Sequence, residues 1–209
     1  MMSRTKIKFC GLTRLEDVEH AASLGIDALG FVFCQQSPRC IDIEQAQELL
    51  AVCPPFITRV GLFMNDQTST IEEICKALDL DVLQFHGDET AEFCASFGYR
   101  YMKSIAMGGS TDLARLDQYA QASALLLDGN EPGQPGGSGD AFDWQSTPQA
   151  LKQAIILAGG LDSQTVGHAI QQASPYGVDV SSGIESAKGI KDKTKMIDFV
   201  NAVRLADGY

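Results

Sequence analysis

Eight short apolar runs recur along the 209-residue chain, and a stretch with helical hydrophobic spacing separates most neighbouring pairs. This alternation restricts the fold more than any other feature. The strand-like runs are Ile7–Cys10, Ala28–Phe33, Thr58–Phe63, Val82–Phe85, Tyr101–Ile105, Ala124–Asp128, Ile155–Ala158 and Gly177–Val180. Between them, Leu15, Val18, Ala22 and Leu24 form one apolar stripe, Ile43, Ala46, Leu49 and Leu50 a second, and Ile71, Ile74, Cys75 and Leu78 a third. Further helices are expected over Thr90–Phe97, Leu113–Gln121, Thr165–Gln172 and Lys193–Leu205. Right-handed crossovers repeated eight times close naturally into a barrel. The expectation is one α/β domain spanning 1–209, a (β/α)8 TIM barrel, with an open doubly wound sheet as the alternative.

Local signals agree with this frame. Thr13 precedes Glu16, and Asp42 precedes Gln45, in the spacing of a capping box. Gly25 and Gly98 each follow a helical run, where a left-handed helix end is expected. A long segment rich in glycine and proline, Gly129–Gly139, follows the sixth strand and suggests a loop over an active-site mouth.

Composition narrows the partners. The formal net charge of −11 argues against nucleic-acid binding, which is driven by cationic contacts to phosphate. No apolar stretch is long enough to cross a bilayer, and the N-terminus carries no signal-peptide pattern, so a cytoplasmic location is the expectation. The six cysteines form no CxxC pair and the three histidines are scattered, so a zinc site is not expected. Reduced thiols are the expectation, most of them small buried hydrophobes.

Two reactive side chains stand apart by position. Cys10 closes the first strand and Asp128 the sixth, and each is followed by a glycine. Strand ends that open onto glycine turns are where a parallel α/β scaffold presents its chemistry. Strands one and six face each other across an eight-stranded ring, which suits a thiol base and a carboxylic acid working on one substrate.

Three segments look suited to phosphate: Ala158-Gly159-Gly160-Leu161-Asp162, Ser181-Ser182-Gly183-Ile184-Glu185 and Gly136-Gly137-Ser138-Gly139. Glycine lets backbone N–H groups approach an anion, and the loops after strands seven and eight are the usual phosphate site of such barrels. A small phosphorylated substrate is therefore compatible with the acidic charge balance.

The ordered set of motifs resembles the phosphoribosylanthranilate isomerase family of tryptophan biosynthesis. The segments that carry the resemblance are Lys8-Phe9-Cys10-Gly11-Leu12-Thr13, Gly30-Phe31-Val32-Phe33 with Ser37-Pro38-Arg39, Gly61-Leu62-Phe63-Met64-Asn65 and Leu83-Gln84-Phe85-His86-Gly87-Asp88-Glu89. They continue with Leu126-Leu127-Asp128, Phe142-Asp143-Trp144, Gly159-Gly160-Leu161, Val178-Asp179-Val180-Ser181-Ser182-Gly183-Ile184-Glu185 and Gly189-Ile190-Lys191-Asp192. They cover nearly the whole chain.

The resemblance implies an Amadori rearrangement of N-(5-phosphoribosyl)anthranilate to 1-(2-carboxyphenylamino)-1-deoxyribulose 5-phosphate. It implies Asp128 as general acid, Cys10 as general base and Arg39 on the anthranilate carboxylate. Gly159, Gly160, Ser181, Ser182 and Gly183 would hold the phosphate, with His86 and Asp179 as further candidates near the substrate. Family members occur as monomers and homodimers. Chemistry near neutral pH asks for Asp128 well above its ordinary value, and for Cys10 modestly below, through backbone amides or Lys8. Lys8 shares a strand face with Cys10, and either lines the mouth or fills a barrel layer. A Schiff-base aldolase using Lys103 is the competing enzyme class. A phosphate-ligand sensor is the non-enzymatic one.

Overall fold

The computed structural model describes residues 4–108, 113–129, 144, 147 and 153–209, with the side chains of 113–115 excepted. Eight parallel strands close into a barrel in sequence order. They are β1 (Lys6–Cys10), β2 (Ala28–Val32), β3 (Thr58–Phe63), β4 (Val82–Phe85), β5 (Arg100–Ala106), β6 (Ala124–Asp128), β7 (Ala154–Leu157) and β8 (Gly177–Val180). The helices are α1 (Leu15–Ser23), α2 (Ile43–Ala51), α3 (Thr68–Ala77), α4 (Ala91–Ala95), α5 (Val166–Ala173) and α6 (Lys193–Ala206). The open-sheet alternative is excluded, because β1 pairs with both β2 and β8.

Strand alternation sorts the side chains into two cores. One face packs outward against the helices, in a cluster that includes Phe9, Phe31, Phe63, Phe85, Leu125, Leu127, Val178 and Phe199. The other fills the barrel with Val60, Met102, Ala124, Leu126, Ile156 and Ala158. Full burial of each large apolar side chain contributes roughly 1.5–3 kcal/mol. The same alternation puts Lys8, Cys10, Gln84 and Asp128 on the inward face, because their apolar neighbours Phe9, Phe85 and Leu127 take the outward one.

Helix ends follow local chemistry, with one correction. Asp42 caps α2 by accepting from the Gln45 N–H at 2.8 Å, as its spacing predicts. Asp192 caps α6 in the same way through Lys195 N. Thr13 does not cap α1: the N-cap is Arg14, and the Thr13 hydroxyl instead donates to the Gly189 carbonyl at 2.5 Å. Gly25 and Gly98 adopt the expected positive φ, 71° and 70°. The predicted helix over Leu113–Gln121 is a 3-10 helix over Leu113–Tyr119.

A short hairpin that the periodicity does not reveal, β9 (Glu185–Ala187) with β10 (Ile190–Lys191), follows β8 and leads into α6. The Gly136-Gly137-Ser138-Gly139 and Phe142-Asp143 motifs lie outside the described residues, as does most of the Gly129–Gly139 segment.

Candidate active site

One cavity opens at the C-terminal end of the barrel. Cys10, Asp128, Arg39, His86, Asp179, Gly159, Gly160, Ser181 and Ser182 all line it. Gly183 is not among the lining residues; its Cα packs so closely on the loop after β7 that an added Cβ would collide with the Leu161 carbonyl oxygen. The β2–β3 side of the cavity is apolar, built from Val32, Cys34, Leu62 and Met64.

Cys10 is buried at the end of β1, and Gly11 turns the chain away with φ of 75°. The approach is close: a Cβ at Gly30, its register partner on β2, would lie 2.8 Å from the Cys10 Sγ. Lys8, two residues earlier on the same face, pairs with Asp179 at 2.9 Å inside the barrel. Lys8 is thus a barrel-layer residue, with its ammonium near enough to Cys10 to attract a thiolate there. The expected lowering of Cys10 does not hold. Burial pushes the thiol above its ordinary value of 9.0, and the attraction of Lys8 offsets this only in part. Desolvation of a thiolate outweighs one cation that a carboxylate already neutralises.

Asp128 is likewise buried, at the end of β6. The His86 Nε2 stands 3.6 Å from its Oδ2. Burial first, and then the charges of Lys103 and Lys8, lower the His86 imidazole to about 4, so it is neutral at physiological pH. Its Nδ1 faces the Gln84 amide nitrogen at 3.5 Å, and that nitrogen also reaches the Ser104 hydroxyl at 3.3 Å.

The guanidinium of Arg39 uses its two-pronged geometry within the chain. Nε and Nη2 donate to the two carboxylate oxygens of Glu185 at 2.7 and 2.8 Å, and both residues are buried. Nη1 makes no hydrogen bond among the described residues, so that edge is the one left to a ligand. Lys191, with its side chain fully buried, shares Glu185 at 2.9 Å and donates to the Cys10 carbonyl at 2.7 Å and the Ser181 carbonyl at 3.1 Å. Burial lowers Lys191 below the ordinary lysine value, against the pull of Glu185.

The glycine loops behave as anion hosts. Gly159 and Gly160 take consecutive positive φ values of 77° and 63° after β7. Ser182 and Gly183 begin a one-turn 3-10 helix after β8. The N–H groups of these four residues donate to no acceptor among the described residues. Four unpaired backbone donors on two adjacent strand ends form a site for an anion.

Lys103 lies elsewhere. It points outward from β5, and its ammonium is held by Glu89 at 3.3 Å, by the Phe85 and Ser104 carbonyls at 3.3 and 3.2 Å, and by the Gly87 carbonyl. It does not line the cavity, which removes it as a Schiff-base former there. The sequence alone does not single out Gln84, Glu185 or Lys191 as site residues. Gln84 carried a signal, a polar side chain between apolar Leu83 and Phe85. Glu185 and Lys191 lie inside quoted motifs, but their pairing depends on a hairpin that the apolar pattern does not mark.

Among the described residues no group of three or more His, Cys, Asp or Glu is placed to hold a metal ion, and no helix is long and apolar enough to cross a membrane.

A family model described as N-(5'phosphoribosyl)anthranilate (PRA) isomerase matches residues 7–202. The chain is 48% identical over 206 residues to the N-(5'-phosphoribosyl)anthranilate isomerase of Pseudomonas putida, across 98% of this chain and 100% of that protein. The namesake from Nitrosococcus oceani is 46% identical over 201 residues, covering 96% of this chain and 98% of that one. In structure, the chain is similar to phosphoribosyl anthranilate isomerase from Thermotoga maritima, with a TM-score of 0.88 at 34% identity over 96% of this chain and 98% of that one. It is also similar to a phosphoribosyl anthranilate isomerase in complex with reduced 1-(o-carboxyphenylamino)-1-deoxyribulose 5-phosphate, with a TM-score of 0.79 at 30% identity over 96% and 98% of the two chains.

Proposed function

The chain belongs to the N-(5'-phosphoribosyl)anthranilate isomerase family, whose activity in tryptophan biosynthesis it carries, and we propose that Cys10 and Asp128 perform that reaction as general base and general acid. The observation that carries the assignment is that this thiol and this carboxyl, from strands on opposite sides of the barrel, line one cavity at the same barrel end.

The substrate's 5′-phosphate sits on the unpaired N–H groups of Gly159, Gly160, Ser182 and Gly183. The anthranilate ring lies on the wall of Val32, Cys34, Leu62 and Met64, and its carboxylate meets the Nη1 edge of Arg39. Asp128 protonates the furanose ring oxygen, and the C1′–O bond breaks to give the open-chain Schiff base. The Cys10 thiolate then removes the proton from C2′. The C–H electron pair forms the C1′=C2′ bond of an enolamine, and the iminium nitrogen takes the displaced pair. Tautomerisation gives the aminoketose. The substrate's own nitrogen is the electron sink, so the scheme needs no cofactor.

The surroundings suit each step. His86, 3.6 Å from Asp128, is neutral and so brings no positive charge of its own to that carboxyl. Burial that raises the Cys10 thiol also makes its thiolate, once formed, a stronger base toward carbon. The pathway's phosphorylated intermediates do not cross membranes unaided, which supports a cytoplasmic location.

The test is to generate the unstable aminoaldose in solution and follow its anthranilate fluorescence. Cys10→Ser and Asp128→Asn should each lower kcat by about 10²–10⁴, the usual worth of a positioned acid or base. Binding of the reduced product analogue should survive within a few-fold. Turnover like that of the unaltered protein in either variant removes that residue from the scheme.

A further inference from the structure

We propose that Lys191 is a positioning residue for proton abstraction: its buried ammonium ties the carbonyl of Cys10 to Ser181 and Glu185 and stands as a fixed cation behind the thiolate that forms there. The proposal rests on the reading of Cys10 as the base.

The geometry carries two arguments. First, Lys191 joins three parts of the site at once. Its Nζ reaches the Cys10 carbonyl at 2.7 Å, the Ser181 carbonyl at 3.1 Å and hydroxyl at 3.4 Å, and Glu185 at 2.9 Å. Ser181 closes the same circuit by donating to the Cys10 carbonyl at 3.0 Å. The end of β1 is therefore set by a residue near the other end of the chain. Second, the local charges do not cancel. The charged groups that act on Cys10 are Lys8 on its own strand, Asp179 on β8, Arg39 after β2 and Lys191 on β10; Glu185 on β9 binds Arg39 and Lys191, Asp128 on β6 lines the same cavity, and the neighbouring thiol is Cys34. Lys8 and Asp179 neutralise each other. Glu185 is shared by Arg39 and Lys191, one carboxylate against two cations. The surplus positive charge is fixed, dry and adjacent to Cys10. A neutral donor would tie the same carbonyls without the desolvation cost of an ammonium, so the charge itself has a use.

The reaction is an unassisted proton transfer within this arrangement. The S–H bond forms as the C2′–H bond breaks, and Lys191 exchanges no proton. Its effect is on the thiolate's population and the placement of the sulfur.

Alkylation by iodoacetamide, resolved to Cys10 by peptide mass spectrometry across a pH series, separates this from a purely structural tie. Lys191→Gln should slow Cys10 alkylation at neutral pH at least tenfold, and Lys191→Arg should restore it. Glu185→Gln, which removes the compensating anion, should accelerate it several-fold. Opposite signs in the two neutralising variants follow from charge alone. In steady state, Lys191→Gln should lower kcat with KM changed less than threefold. Unchanged alkylation in Lys191→Gln, or a slowing in Glu185→Gln like that of Lys191→Gln, overturns the proposal. Should Lys191→Gln fail to fold, the absence of acceleration in Glu185→Gln overturns it alone. Failure of the base reading is distinct: it appears as full turnover in Cys10→Ser, whatever the alkylation rates.

Discussion

His86 enters the fold as a neutral imidazole, and the protein's acid stability should carry its mark. The unfolded chain protonates it near 6.5, whereas the folded site resists until about 4. Between these values the unfolded state binds more protons, so stability falls as pH falls and is fully present above 6.5. The contribution lost by pH 4 is on the order of 3 kcal/mol. Urea unfolding of the parent protein and of His86→Gln at pH 7.5 and 4.5 checks this: the parent should lose about 2–3 kcal/mol more than the variant. Equal losses would mean that His86 titrates normally. At this scale the sequence was legible where position alone decides, as at Cys10 and Asp128, which end their strands. It was misleading where environment decides. Lys8 is a cation beside Cys10, as its spacing implies, but Asp179 neutralises it and burial prevails. Arg39 has the geometry to grip a carboxylate, yet Glu185, 146 residues away, already uses two of its nitrogens.

The elements after β7 and β8 act as one anion host because they touch, and Gly183 is where they touch. A methyl at that position would meet the Leu161 carbonyl, which is backbone and cannot swing aside. Gly183→Ala should therefore part the two loops and misalign the four free N–H groups. The expected outcome is a KM at least about tenfold higher, the worth of one charge-assisted hydrogen bond (about 1.5–3 kcal/mol), with kcat within a few-fold. Steady-state kinetics check it, and an unchanged KM would show that the phosphate rests elsewhere. Elements were legible in proportion to how far their signals are local. All eight strands follow from apolar runs, and Asp42 caps α2 because its partner lies three residues on. Thr13 is not the cap because α1 starts one residue later, with Arg14 at the N-cap, and its hydroxyl donates to the Gly189 carbonyl from the far end of the chain. The β9–β10 hairpin is too short for periodicity to register, yet it brings Glu185 and Lys191 to the site.

Closure of the whole molecule depends on the seam between its first and last barrel strands. There Lys8 lies opposite Asp179 in register, and their ion pair spans 2.9 Å with side chains 4% and 9% exposed. Burial alone would lower Lys8, and the attraction of Asp179 reverses this and raises it. A pair so placed is weak evidence of net stabilisation, because desolvating both charges offsets their attraction. Removing one partner is different, since it strands the other in the barrel. Lys8→Met or Asp179→Leu alone should each cost about 3–5 kcal/mol, while Lys8→Met with Asp179→Leu should recover most of it. Denaturant titration of the three variants gives the coupling directly. Single losses near 1 kcal/mol, as for an exposed pair, would mean that apolar packing alone selects the seam. The sequence places Lys8 on the inward face but leaves two destinations for it, the mouth or a barrel layer. Only the β1–β8 register decides between them, and that register joins residues 171 positions apart. The parity that turns Lys8 inward also turns Cys10 inward, so the link that closes the barrel and the proposed base stand side by side at the seam. Loss of Lys8 should therefore unsettle catalysis as well as closure, and in the paired variant stability should return while turnover does not.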